Sequence, residues 1–469
     1  MLLFFMQKKI VSVSLFFIFL LALLIRLNPF FVGTLVDPDG YFHVRNSELA
    51  LNAKGVPEFD SLSQGGRAYS YAPVFHFNFA LLHLVSGLSI EFLVNVFPAF
   101  YGALTIFVVF IFARKLFDEK TALFSAFSLS VMVFHFLRTG SNARPDGLSM
   151  LFIPVILYLV YVKRFRVAAL LSAFQFLLHP LSGLTMLGVL VLWIAVAGFK
   201  KMDFDFKAVI GIILVSLIVW FIWIFSLPFH FTQYVSKVSL ESAETAKLLF
   251  VSVFTFFSFS WIFALIGLFK SKKNFFLLSW ILLSFVIGMW ALRLAFYMTV
   301  PIALISGAGL FFALNKIKPY RKVFFLLVFA LALISVIPSL FGQEKYVPDS
   351  EKNAMLFLKE NSDLDSLIFS RWDRGHPLAF FAQRKVLIDG YFEFAENLDE
   401  KNNAMKEIIV TSNCSKIERI RNEFIFDYFF VNKNALIDSA YINGILDSKH
   451  CSNFNLIYSG NGGKIFSFP

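Results

Sequence analysis

The sequence predicts an α-helical protein that crosses a membrane many times and carries a small α/β domain at its C-terminal end. Three observations carry that expectation. Of 469 residues 58% are hydrophobic and the mean hydropathy is +0.72, far too apolar for a soluble globule. The apolar residues fall into runs close to the ~20 residues that cross a hydrocarbon core. The lysines and arginines, which bring the net charge to +11, gather in the short loops between those runs. That clustering orients membrane spans, and it sets nucleic-acid binding aside.

In chain order the runs lie near 10–31, 92–113, 120–137, 147–162, 166–179, 181–198, 207–226, 248–269, 274–291, 293–314 and 322–341. They predict about eleven spans, within a range of about 11–13. The further run Val74–Ile90 would break the charge pattern if it crossed, so it reads as a helix lying at the interface within a first outer loop, 31–91.

With Lys8 and Lys9 inside, alternate loops bring Arg114/Lys115/Lys120, Lys163/Arg164/Arg166, Lys200/Lys201/Lys207, Lys270/Lys272/Lys273 and Lys316/Lys318/Arg321/Lys322 to the cytoplasmic face. The opposite face receives the first outer loop, the loop 138–147, a second outer loop at 227–247 expected to be mobile, and everything after about 342. The first run continues into a multispanning protein and reads as an uncleaved anchor. A Phe-rich, compact chain of this kind points to the cell membrane of a prokaryote, with 64 phenylalanines in all.

The membrane portion therefore occupies 1–341 and a soluble, extracytoplasmic α/β domain 342–469. Helical patterns near 351–361 and 400–425 alternate with β-rich runs near 366–370, 385–389, 426–431, 455–459 and 464–468, the last two flanking Asn461-Gly462-Gly463, a hairpin signal. The chain's two cysteines, Cys414 and Cys451, both fall in this domain, where a disulfide is permitted.

The chemistry starts with Asp37-Pro38-Asp39-Gly40-Tyr41-Phe42-His43-Val44-Arg45, directly after the first span. Two carboxylates one residue apart can share a hard divalent cation, or divide the work between metal and substrate. Asp-Pro-Asp-Gly is also strong turn chemistry. Arg144-Pro145-Asp146-Gly147 and Arg371-Trp372-Asp373-Arg374-Gly375 fall on the same outer face. Carboxylates beside hydrocarbon are costly unless they bind something, so their common side marks an active-site edge.

The order of these motifs resembles a family. A span, an Asp-x-Asp loop and Tyr69-Ser70-Tyr71-Ala72-Pro73 leading into an apolar helix are similar to the multispanning glycosyltransferases that use polyprenyl-phosphate sugar donors. Arg371-Trp372-Asp373-Arg374-Gly375-His376, followed by Ile388-Asp389-Gly390, is similar to the Trp-Trp-Asp-Tyr-Gly segment and downstream Asp-Gly of oligosaccharyltransferase catalytic subunits. Ala291-Leu292-Arg293-Leu294-Ala295-Phe296-Tyr297 resembles that family's late span, and Glu241 or Glu244 falls where it has a glutamate in a mobile loop.

The resemblance implies thirteen spans and an inverting transfer of glycan from a polyprenyl-(pyro)phosphate lipid to protein asparagine. It implies that Asp39 acts on the acceptor, with Asp37 and Glu244 or Glu241 as catalytic companions. Mn²⁺ or Mg²⁺ would be held by Asp39, Asp37 and Asp146 with Glu241 or Glu244, the donor phosphate by Arg293, Arg144 and Arg45, and the acceptor by Trp372, Asp373 and Arg371. The implied partners are the lipid-linked donor, an acceptor polypeptide and membrane lipid, with the single chain acting alone.

Two departures bear on this. Arg144 stands where the family's second motif carries a carboxylate, which moves phosphate neutralisation onto a guanidinium fork. Arg371 and Arg374 replace aromatic residues of the third motif. Both favour a second reading, a transferase of the same donor class acting on a lipid, glycan or protein hydroxyl. A transporter or flippase is the remote alternative; it would place ionisable residues at the midplane and show an internal repeat.

Overall fold

The structure, a computed structural model, describes residues 2–27, 31–33, 35–141, 143–202, 205–226, 257–271, 274–290, 292–341, 344–391, 397–411, 413–432 and 455–468. Every apolar run read from the sequence coincides with a helix, in whole or in its described part. Among the described residues six helices are long and apolar enough to cross a membrane. The pair Glu119–Ser130 and Val133–Gly140 passes the same test together but is bent by 63°, the geometry of a broken span or a re-entrant loop. The remaining runs form the shorter apolar helices Val74–Ser86, Pro145–Tyr161, Phe165–Leu178, Ser260–Ser271 and Phe275–Met289. Of these, Val74–Ser86 is the run read as interfacial.

The spans differ in how far they are enclosed. The stretch Leu294–Lys316 is 94% buried, whereas Lys318–Pro338 is 17% buried. Small residues make the close packing of the former possible. Gly307 lies against Ser125, and Gly309 and Gly267 bring two helix backbones into contact through Phe263 and Ile305, leaving no room for a Cβ at any of the three. Ile90–Leu116 packs between the first helix, Leu2–Arg26, and the helices Glu119–Ser130 and Pro145–Tyr161.

The C-terminal domain is built on a five-stranded sheet of order β4-β3-β5-β7-β6, comprising β3 Leu367–Phe369, β4 Lys385–Val386, β5 Tyr428–Asn432, β6 Asn455–Gly460 and β7 Gly463–Ser467. β3 runs parallel to β4 and β5, and β7 pairs antiparallel with β5 and β6. Alternation along β5 and β7 divides the sheet's two faces. Phe430 and Ile465, a cross-strand pair, join a core with Tyr41, Val44, Phe75 and Phe79 of the first outer loop. Phe429 and Phe466 point the other way, into a core with Met405, Ile408 and Ile420 from the helices Leu398–Val410 and Cys414–Phe424. The first outer loop and the C-terminal domain therefore share one hydrophobic core. Cys414 is disulfide-bonded; Cys451, the chain's other cysteine, lies outside the described residues.

The third motif folds as a helix, Trp372–Phe381, which the sequence pattern had not marked. Pro377 and Gly375 hide its helical period, and packing decides it. Gly375 is required because Ile388 and Asp389 pass where a Cβ would stand.

Candidate active site at the outer helix ends

Three helices begin with the same device. Asp37-Pro38, Arg144-Pro145 and His179-Pro180 each place an extended residue at the cap and proline at the first helical position, opening Pro38–Ala53, Pro145–Tyr161 and Pro180–Phe199. Proline there loses no hydrogen bond, and the unsatisfied N–H groups of each first turn make an electropositive end. Asp39 and Asp146 occupy the first turns of the first two helices, where that field favours a carboxylate.

The two motifs meet through Arg144. Its Nη2 donates to Asp37 Oδ2 at 2.6 Å and lies 3.2 Å from Asp39 Oδ2, so one nitrogen bridges two carboxylates. The other oxygen of Asp37 accepts from the Asp39 backbone N–H at 2.8 Å. Asp146 Oδ1 accepts from the Gly147 N–H at 2.9 Å, and its Oδ2 stands 3.6 Å from Arg138. Arg138 belongs to a π-turn, Leu137–Ser141, whose carbonyl at Arg138 leaves no space for a side chain at Gly147. Asp39 is the most open of the three carboxylates, its side chain 36% exposed against 12% for Asp37 and 16% for Asp146.

The third motif packs directly on the Asp39 helix. Tyr41 lies 5.4 and 5.3 Å from the rings of Phe380 and Phe381, and Phe42 lies 4.8 Å from His376. Arg371 and Arg374 both pair with Asp373, at 3.2 and 3.4 Å, and Arg374 also reaches Glu351 at 2.7 Å while its guanidinium covers the Tyr346 ring. Tyr346 closes the group by donating to the Asp373 carbonyl at 2.9 Å.

No family model matches the chain. Among curated proteins it is similar to dolichyl-phosphooligosaccharide-protein glycotransferase 2 of Pyrococcus furiosus, with 25% identity over 121 residues, 24% of this chain and 16% of that protein. Among solved structures it superposes on the Archaeoglobus fulgidus oligosaccharyltransferase in its apo form with a TM-score of 0.75, at 15% identity, covering 99% of this chain and 75% of that one. The chain has the oligosaccharyltransferase fold. The same archaeal protein in complex with an inhibitory peptide and a dolichol-phosphate gives 0.69 at 16% identity, over 99% and 74% of the two chains. ArnT from Cupriavidus metallidurans, bound to undecaprenyl phosphate, gives 0.60 at 12% identity and covers 98% of both chains.

Within the oligosaccharyltransferase fold the remaining expected residues fall in different places. Arg45, expected at the donor phosphate, is 6% exposed and its fork grips Asp60, with Nη2 to Oδ2 at 2.6 Å. That ion pair anchors the helix to the short hairpin β1 Phe59–Asp60 and β2 Arg67–Ala68. Arg293 sits on the short helical segment Leu292–Met298, and its side chain lies outside the described residues. Glu241 and Glu244 also lie outside them. Asp39, Asp37 and Asp146, expected to share a metal, do not converge as one cradle, because among the described residues no three His, Cys, Asp or Glu side chains are placed to hold an ion. The oxygens of Asp37 and Asp146 are turned to backbone N–H groups and arginines instead.

Four groups at this edge were given no role in the sequence reading, although His43 and Asp389 stand inside the motifs it quotes. Arg138 is one. Asp389 is another, fully buried, accepting from Ser63 Oγ, from Gln64 Nε2 at 3.1 Å and from the Tyr391 N–H at 2.9 Å. Burial raises its carboxyl, but His376, Arg67 and those hydrogen bonds outweigh that and hold it below the usual range. His43, one turn beyond Asp39, reaches His76 at 3.0 Å, and His76 reaches the Tyr69 hydroxyl at 2.6 Å. Burial, then the charges of His76, His376 and Arg144, keep His43 neutral, well below its ordinary value. Arg26, at the end of the first helix, donates to the Ser130 carbonyl at 3.1 Å and to Thr139 Oγ1 at 3.1 Å, and so steadies the π-turn that carries Arg138. A lone arginine inside an apolar run was the signal for it.

Proposed function

We propose that the protein transfers a glycan from a polyprenyl-(pyro)phosphate lipid to an asparagine side chain of an acceptor polypeptide, at the outer membrane face. The observation that supports this reading is the meeting of the Asp37-Pro38-Asp39 and Arg144-Pro145-Asp146 helix ends, with the third-motif helix packed on the former. The fold shared with the archaeal oligosaccharyltransferase supports the same reading. Asp39, the most open carboxylate, orients the acceptor amide and takes its proton as the nitrogen attacks the anomeric carbon. The C1–O bond to phosphate breaks on the opposite side, so the anomeric configuration inverts. Charge appearing on the departing phosphate meets the cationic helix ends and Arg144, with Arg293 assigned to the same task by the family resemblance. The helix bearing Trp372, Asp373 and Arg371 offers the acceptor surface.

Among the described residues the carboxylates do not fit the divalent Mn²⁺ or Mg²⁺ site that the family resemblance implies, since both oxygens of Asp37 and of Asp146 serve arginines and backbone amides and Oδ2 of Asp39 faces Arg144.

A second reading keeps the donor and changes the acceptor to a hydroxyl of lipid, glycan or protein. It is favoured by the Arg371–Asp373–Arg374 pairing, which engages the third-motif carboxylate internally, and by the likeness to ArnT over 98% of both chains.

Incubation of the purified protein with lipid-linked oligosaccharide and an Asn-x-Thr peptide decides between them. Glycopeptide that disappears in Asp39→Ala supports the first reading. Asp39-dependent consumption of the lipid without glycopeptide supports the second, and neither product overturns both.

A further inference from the structure

A metal bound between two aspartates does one electrostatic job that a guanidinium also performs. It holds the carboxylates together as anions and presents positive charge to a leaving phosphate. Arg144 is placed for that job. It stands at the sequence position where the resembled family has a carboxylate, and its Nη2 lies 2.6 Å from Asp37 and 3.2 Å from Asp39. It cannot drift away easily, because it is the cap residue of the helix Pro145–Tyr161 and its side chain is 13% exposed. Arg138 repeats the arrangement at Asp146, 3.6 Å away. The cluster thus sets two guanidiniums against three carboxylates, and a divalent ion arriving between Asp37 and Asp39 would meet a positive charge already seated there.

We propose that Arg144 is the resident cation of the active site and that glycan transfer by this protein proceeds without a divalent metal. The guanidinium carries five N–H donors in a planar fork, enough to hold two carboxylates and still address phosphate oxygens. Asp39 remains the acceptor-facing base, while Asp37 serves as cap and anchor. The inference rests on the transferase reading for its catalytic part and on the geometry alone for its metal-binding part.

The test measures both parts separately. Mn²⁺ binding is followed by titration calorimetry on the detergent-solubilised wild type and on Arg144→Asp, which restores the carboxylate expected at that position. Transfer is followed with and without EDTA on the same samples and on Arg144→Lys. The wild type is expected to show no Mn²⁺ binding in the micromolar range and to change less than twofold in transfer with EDTA. Arg144→Asp gains Mn²⁺ binding, and its residual transfer becomes EDTA-sensitive. Arg144→Lys keeps metal-independent transfer at a rate lowered at least tenfold. Stoichiometric Mn²⁺ binding by the wild type, or transfer abolished by EDTA and restored by Mn²⁺, overturns the proposal, and neither result depends on a variant folding. If no sample transfers glycan yet the binding contrast between wild type and Arg144→Asp holds, the transferase reading fails while the cation assignment stands.

Discussion

Asp37 and Asp39 are one residue apart and do different things. Asp37 caps its helix and is held by Arg144, with both oxygens engaged, whereas Asp39 is the open one. Their replacements should separate accordingly. Asp39→Asn is expected to lower turnover by about 10²–10⁴-fold, the usual weight of a general base, with an unchanged melting temperature. Asp37→Asn keeps a capping side chain but weakens the hold on Arg144, so it should lower stability as well as turnover. Rates from glycopeptide formation and melting curves on the same preparations check this. Equal losses of rate without a stability difference would show that the two carboxylates share one role.

At the scale of elements, the Asp39 helix owes its position to contacts behind the site. Arg45 ties its middle to Asp60, and Ser63 and Gln64 of the same outer loop hold Asp389 of the C-terminal domain. Burial alone would raise the Asp60 carboxyl, but the charge and hydrogen bonds of Arg45 outweigh it and hold it below its ordinary 3.8, while Arg45 is raised in turn. A carboxylate lowered in this way contributes stability that is present above its unfolded value and lost as pH falls through the folded one. The melting temperature should therefore fall as pH drops below 3.8. In Asp60→Asn that acid limb should flatten, and the protein should be less stable at neutral pH by about 3–5 kcal/mol, because Arg45 is left buried without its counter-charge. Melting curves across pH for both proteins check it, and an unaltered acid limb in the variant would assign that limb to other carboxylates.

At the scale of the whole molecule, the motifs share one face because the spans alternate and the cationic loops stay on the other. A cysteine at Leu364, 78% exposed in the C-terminal domain, should react with an impermeant maleimide on intact cells. A cysteine at Lys163 should react only after permeabilisation. The native background is quiet at Cys414, which is disulfide-bonded. Labelling of the Lys163 site but not the Leu364 site from outside would invert the topology on which the site assignment depends.

The sequence by itself determined the membrane class, the order of the helices, the strands of the C-terminal domain and the X-Pro-Asp motifs at helix ends. Those properties live in local pattern. A run of apolar residues must leave water, alternation in Tyr428–Asn432 must face two cores, and proline after a capping residue opens a helix wherever it stands. The partners of the charged groups were not legible. Arg144 and Asp37 are separated by 107 positions and Asp389 and Ser63 by 326, and no local preference relates such residues. The family resemblance placed Arg45 at the donor and grouped Asp37, Asp39 and Asp146 around a metal. Tertiary packing gave Arg45 to Asp60, divided the carboxylates between Arg144 and Arg138, and turned the third motif into a helix against Tyr41. The physical reason is that a buried charge takes whichever counter-charge the packed backbone brings within a few ångströms, and only the assembled fold decides which one that is.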